Sequence, residues 1–425
     1  MPRIKLNTDK AKIIWLIYES GLILAYGIIR FYFSLTLFEI TGSVLIMALS
    51  VLLSLSPKIY LSFIAGRIID RIGARKTLII THSLLVFIYF AAAFVFNSES
   101  HYIIWSIFAI ISLRAAISSF HSLSIMSIIP DLLAGKTQAA YALEGFLNSG
   151  AAILAPALAG VCYVFLPLEN LLFIVAGMSI PGLFLVLHII PISAHKTATT
   201  HPSLWQHLHL IMRNDKLRYA LLYFCSFNAI NGIASAFLSV YILMLGANPN
   251  ADLATYSTIV AIATLIGSLY SIKRFHHNAF IIIAVTGILC ALFGRIGIAL
   301  TDNVILIAIL VALRSALAPV ANMANQMLWV SETKKNQRAG IFGLRRLIAQ
   351  GSYPIIAFSY LLLTKFYAIT FTPDSLRKLF ISSGMIEIIL AVILLGIFLL
   401  LNTKNIAISS LLVRKKSTQN HEEKI

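Results

Sequence analysis

The chain has 425 residues, of which 59% are hydrophobic and only 12% charged, and its mean hydropathy is +0.89. That much apolar surface exceeds what a soluble domain of this size can bury, so the chain belongs in a membrane. The formal net charge of +17 does not indicate nucleic acid, because the basic residues fall in short gaps between apolar runs.

A helix needs about 20 residues to cross the hydrocarbon. By that measure twelve spans are predicted, near 13–37, 43–65, 77–97, 102–129, 139–166, 170–191, 218–245, 253–272, 278–300, 304–330, 340–364 and 377–401. The first run is too long, and too poorly followed by a small-residue cleavage site, to be a removed signal peptide. Lys and Arg collect in the N-terminal tail, in the gap after span 2 and in the connections after spans 6, 8 and 10, and again beyond residue 401. The gaps at 97–101, 166–169, 246–252 and 301–303 hold none. This asymmetry predicts both termini in the cytoplasm, with Lys365, Arg377 and Lys378 against the trend. Cys162, Cys225 and Cys290 all lie inside apolar runs and read as small buried hydrophobes, neither disulfides nor metal ligands. The longest polar connection, 192–217, carries His195, His201, His207 and His209 and is expected to be a solvated linker with a surface helix. The charged tail 402–425 is expected to be disordered.

The most distinctive stretch lies between the second and third apolar runs: Gly66-Arg67-Ile68-Ile69-Asp70-Arg71-Ile72-Gly73-Ala74-Arg75-Lys76. Its cations are costly in lipid, so it is predicted as a tight loop on one membrane face. Gly73 supplies a turn position that tolerates positive φ. Asp70 sits near a helix C-terminus, where the dipole disfavours a carboxylate. It should therefore have a partner, in Arg71, Arg75 or the N-terminus of another helix. The stretch resembles the signature loop of the major facilitator superfamily, Gly-x-x-x-Asp-Arg-x-Gly-x-Arg-Lys. That resemblance implies a transporter whose loop aspartate contacts the start of span 11, where Arg345 and Arg346 stand.

An internal repeat supports a two-part architecture. Ser-Leu-Arg-Ala-Ala-Ile at 112–117 echoes Ala-Leu-Arg-Ser-Ala-Leu at 312–317, and Ala139 and Ala339 open spans 5 and 11 at the same offset of 200. The expected fold is an all-α membrane protein of twelve transmembrane helices in two pseudo-symmetric six-helix bundles, 1–191 and 218–401.

Charges inside spans are functional candidates by default, because each costs several kcal/mol unless it faces a cavity or a partner. They are Glu19 and Arg30 in span 1, Arg114 in span 4, Arg314 in span 10 and Glu387 in span 12, the last without a role. His121 follows Arg114 by seven residues and Asn325 follows Arg314 by eleven, each pair on one helix face; span 7 adds Asn228 and Asn231. In the superfamily the sequence resembles, spans 1, 4, 7 and 10 line the central cavity. The expected chemistry is titration of Glu19, with Arg114 or Arg30 moving toward or away from it, and with a cationic or zwitterionic substrate competing for the carboxylate. Lys58 and Arg295 are expected to snorkel toward a face.

Ala151-x-x-x-Ala155-Pro156-x-x-Ala159-Gly160 in span 5 resembles the superfamily's antiporter motif, with Ala for most glycines, and implies export. Leu-Phe-Glu-Ile-Thr-Gly-Ser at 37–43 and Ile-Ile-Pro-Asp-Leu-Leu at 128–133 resemble the macrolide-efflux and siderophore-exporter branch. The expected protein is a non-enzymatic, monomeric exporter of a small amphipathic molecule, coupled to protons, in a bacterial inner membrane. No cofactor, metal or nucleic acid is implied. An importer on the same fold is the alternative. A receptor or intramembrane enzyme would need a catalytic constellation or a His-rich metal site inside the spans, and none is evident from the sequence.

Overall fold

The computed structural model describes residues 8–42, 44–96, 102–132, 137–190, 203–246, 249–271, 278–367 and 372–422, and for 401–422 the backbone alone. Among these residues the regular elements are all helical. They are α1 (Thr8–Thr41), α2 (Val44–Tyr60), α3 (Ser62–Ile72), α4 (Ala74–Phe96), α5 (Ile103–Leu132), α6 (Thr137–Phe165), α7 (Leu168–Ile189), α8 (Leu204–Arg213), α9 (Asp215–Leu245), α10 (Pro249–Tyr270), α11 (Ala279–Ala291), α12 (Val304–Glu332), α13 (Arg338–Tyr367) and α14 (Pro373–Glu422). A π-helical stretch, Leu292–Gly297, continues α11, and a 3₁₀ turn, Lys335–Gln337, precedes α13. Helices dominate because the bilayer core offers no water to backbone amides, which must be satisfied within each segment.

Among the described residues, seven helices are long and apolar enough to cross a membrane: α1, α4, α5, α7, α11 with its π-helical continuation, α12 and α14. The pair α2–α3 qualifies together as a span bent by 48°. The chain is therefore a multi-pass membrane protein. Pro57, which has no amide hydrogen to give the preceding turn, lies one turn before that bend. Helix starts recur along the chain: Ile103 of α5 and Val304 of α12, Thr137 of α6 and Arg338 of α13, Leu168 of α7 and Pro373 of α14.

Some apolar clusters sit within one sequence half. One joins α1, α4, α5 and α7 around Tyr26, Phe33, Tyr89 and Leu172; another joins α9, α12 and α14 around Phe237, Tyr241, Ile307 and Phe380. Another cluster crosses between the halves, bringing Phe63 of α3 and Leu123 of α5 against Trp329 of α12 and Phe342 of α13. The crossing is close because it is built from small residues. A Cβ on Gly66 would stand 2.3 Å from the carbonyl oxygen of Ala339, and one on Gly343 would stand 2.2 Å from that of Ser62. Backbone therefore meets backbone between α3 and α13.

Three expectations change. The stretch Gly66–Lys76 is not a loop: α3 stays helical to Ile72, α4 begins at Ala74, and the turn between them is Gly73 alone, at φ 88°. Packing of Gly66 on α13 keeps the helix intact through the motif. The linker helix α8 is not merely a solvated surface element. Its His207 is buried, edge-on to Phe63 at 5.9 Å, and Ser203 and Gln206 form a capping box at its start; His195 and His201 lie outside the described residues. The tail helix α14 runs on to Glu422, and neither Gly nor Pro occurs after Gly396 to stop it.

Candidate functional site

Asp70 lies at the seam between α3 and α13. Its carboxylate accepts the backbone N–H of Ala339 at 3.1 Å and of Gly340 at 2.6 Å, the first turn of α13. Unpaired amides at a helix N-terminus carry partial positive charge, so a carboxylate is favourable there. Of the partners expected from sequence, the helix N-terminus is the one realised. Arg71 is exposed, Lys76 is exposed, and Arg75 donates to the Leu187 carbonyl at 2.7 Å. Arg345 and Arg346 do not reach Asp70. Arg345 stacks on Trp329 and Phe342 and donates to Gln326 at 2.9 Å, whereas Arg346 crosses the seam to donate to Ser122 Oγ at 2.9 Å.

Glu19 of α1 is 2% exposed, and both of its oxygens are occupied. His82 Nε2 of α4 lies 3.0 Å from one and His121 Nε2 of α5 lies 3.0 Å from the other. The arginines expected beside Glu19 are elsewhere: Arg114 sits over the Tyr26 ring at 4.8 Å and Arg30 over Phe31 at 4.9 Å. Two imidazoles thus replace one guanidinium, and the carboxylate is closed to a competing substrate. His121 Nδ1 contacts Thr81 Oγ1 at 3.1 Å, and Thr81 Oγ1 also lies 3.0 Å from the Leu78 carbonyl. A hydroxyl has one hydrogen. When Thr81 gives it to Leu78, the Nδ1 contact needs a proton on His121, making an imidazolium against the Glu19 carboxylate. When Thr81 turns it to His121, the imidazole is neutral. One hydroxyl rotation therefore accommodates two protonation states. The ligand atoms of Glu19, His82 and His121 lie within 4.8 Å of one another, a set chemically suited to a divalent transition metal; their direct 3.0 Å contacts are hydrogen-bond distances.

One cavity reaches this trio through His121, and a second adjoins the first. The smaller, about 310 Å³, is walled by α1, α2, α5 and α6 and takes in Arg30, Lys58, Arg114, His121 and Glu144, with Arg346 entering from α13. The larger, about 550 Å³, lies between α6, α9, α10, α12 and α13. Asn228, Asn325 and Gln350 line it with Phe224 and Phe227. Glu144, Asn148, Met126 and Arg346 border both. Asn228 donates to the Ala349 carbonyl at 2.8 Å, and Asn325 accepts from Trp329 Nε1 at 2.9 Å. Lys58 does not snorkel but faces the smaller cavity. Ala155 of α6 packs on α1, where a Cβ on Gly27 would stand 2.7 Å from the Ala155 Cβ. The side chain of Pro156 and the surroundings of Gly160 lie outside what the structure describes.

Arg314 and Asn231 were expected on the cavity wall. They stand away from both cavities, in a second polar cluster, part-buried themselves beside the buried Arg295 and Glu387. Asn231 Oδ1 accepts from Arg314 and from Arg295, each at 2.5 Å, and Arg295 Nε donates to Glu387 at 3.4 Å. Arg295 is 0% exposed, so it does not snorkel, and Glu387 gains the role sequence left open: it neutralises that guanidinium. The π-helical stretch carries Arg295. Bare Gly294 makes room for Arg314, whose Cδ would lie 1.8 Å from a Cβ there.

A multi-pass helical protein with polar cavities among its helices has the architecture of a membrane transporter. The chain belongs to the Major Facilitator Superfamily, whose family model matches residues 20–358. No curated protein sequence matches it significantly. Its fold is similar to the human organic anion transporter MFSD10 (TETRAN), at TM-score 0.71 and 14% identity over 92% of this chain and 100% of that one. It is also similar to a bacterial homologue of the iron transporter ferroportin in an outward-facing state, at TM-score 0.68 and 15% identity over 92% and 100%. The E. coli fucose:proton symporter aligns at TM-score 0.60 and 14% identity over 90% and 98%.

Proposed function

We propose that the chain is a proton-coupled secondary transporter that exports a small amphipathic molecule by alternating access. Adding α6, α9, α10 and α13 to the eight spans recognised by length and apolarity gives twelve, arranged as bundles 1–191 and 218–401 about the two cavities. Both termini then face the cytoplasm of a bacterial inner membrane, with the Asp70 seam on the same side. The Asp70 contact with α13 is the closed gate of that side, and its loss accompanies inward opening. The sequence likeness to macrolide and siderophore exporters, with the small-residue contact of Ala155 on α1, favours export.

One observation carries the coupling: Glu19, a buried carboxylate, is held between two imidazoles, one of which, His121, also lines the cavity. A proton can pass from cavity water to His121 and charge or discharge the trio, altering the electrostatics of the wall that substrate meets. The test is flux in proteoliposomes under an imposed pH gradient, comparing the parent with Glu19→Gln for ethidium, a macrolide and fluorescein. Gradient-driven flux of at least one probe in the parent, lost in the variant, is expected. A variant that follows the gradient as the parent does refutes the coupling role.

A further inference from the structure

The smaller cavity has an unbalanced charge. Arg30, Lys58, Arg114 and Arg346 line it, and Glu144 is the carboxylate that answers them, leaving an excess of three positive charges. Among the described residues none of the four cations is in an ion pair. Glu144 is itself engaged by Asn148, which donates to it at 3.0 Å. Glu19, behind His121, is saturated by His82 and His121. Arg114 Nε is buried without a hydrogen-bond partner. Cations gathered in an enclosed site repel one another and have lost much of their hydration, so the arrangement is relieved by a counter-charge from outside the protein.

The adjoining larger cavity differs in chemistry. Its wall of Asn and Gln side chains with Phe224 and Phe227 offers hydrogen bonds and apolar surface; Arg345 and the shared Arg346 add cations, and the shared Glu144 is its carboxylate. The volumes, about 310 and 550 Å³, suit a drug-sized ligand spanning both. We infer that the substrate is an amphipathic organic anion, its acidic group held among Arg30, Lys58, Arg114 and Arg346 and its body lying in the amide- and phenyl-lined cavity. Guanidinium groups favour this, since they pair with carboxylate or phosphate oxygens through two parallel hydrogen bonds. The inference rests on the reading of these cavities as the transport site, and it reverses the sequence expectation of a cationic or zwitterionic substrate.

The test is binding to the purified full chain in detergent, without a gradient, so that it does not depend on transport or on proton coupling. Fluorescein, a dianion near pH 7.5, and rhodamine 6G, a cation on the same ring system, are compared by fluorescence polarisation. Fluorescein is expected to bind at least tenfold tighter. Lys58→Gln and Arg114→Gln are each expected to weaken it tenfold or more, with Lys58→Arg retaining most of the affinity. Glu144→Gln should strengthen it several-fold, an opposite sign that simple loss of folding cannot imitate. Rhodamine 6G binding ahead of fluorescein overturns the inference, as does no measurable fluorescein binding into the millimolar range or insensitivity to all three charge-removing variants. Fluorescein binding with this pattern, but without flux in proteoliposomes, leaves an anion-binding site here and refutes the transport reading on which its role as the substrate site rests.

Discussion

Replacing Asp70 with Asn tests the seam between α3 and α13 with almost no change in volume. The wild-type carboxylate accepts two amides, at 3.1 and 2.6 Å, from the first turn of α13. Hydrogen bonds to a charged group are worth about 1.5–3 kcal/mol each, and a charge at a helix end adds about 0.3–2 kcal/mol. Asn keeps one acceptor but turns an NH2 donor toward the second amide, so one bond and the charge are lost together. Part of this is offset because an Asp70 released by opening regains water. A net loss of about 3 kcal/mol moves the closed-to-open ratio about 100-fold toward open. Spin labels at Lys76→Cys and Lys334→Cys, both exposed in the parent, read the separation across this face by pulsed electron resonance in nanodiscs. The variant should show a longer-distance population, slower transport and normal expression. An unchanged distance distribution together with unchanged transport would show that this contact does not hold the face shut.

Other outcomes follow from the same geometry. Gly66→Ala puts a methyl 2.3 Å from the Ala339 oxygen; overpacking of about 1–3 kcal/mol should lower the thermal midpoint, and a midpoint equal to the parent's contradicts the close crossing. Glu387→Gln strips the buried Arg295 of its counter-charge and should cost about 3–5 kcal/mol by thermal or denaturant unfolding, with Arg295→Met in the same chain recovering much of it. Thr81→Val removes the acceptor for a proton on His121 Nδ1. The protonated form is then disfavoured, and gradient-driven flux should fall by about tenfold, equivalent to one lost hydrogen bond, while ligand binding without a gradient is retained.

The sequence carried the membrane character and the Asp70 motif because both are local: apolar run length, and a fixed spacing of Gly, Asp and basic residues. The turn at Gly73 was readable for the same reason. Partners distant in the chain were not. Glu19 and His82 are 63 residues apart, and a histidine within an apolar run gives no hint that it faces a carboxylate on another helix. Arg295 and Glu387, 92 residues apart, each looked solitary. Helix rotation decided the rest. Arg114 and Arg314 occupy matching positions in the repeat, yet one faces a cavity and the other the Asn231 amide, because Gly294 opens a slot beside α12 that receives Arg314. Glu144 and Lys58 went unnoticed as cavity residues because each lies close to a polar end of its span.

The bare glycines where α3 crosses α13 leave no yielding layer between the two helices. Long side chains can slide and refill a widening gap, but main-chain atoms at van der Waals distance can only touch or part. Ser62, whose hydroxyl bonds the Gly343 carbonyl at 2.8 Å, and Asp70, two turns further on, must therefore be wetted in one event. Such a joint behaves as a latch with two positions, and intermediate apertures on that face should be scarcely populated.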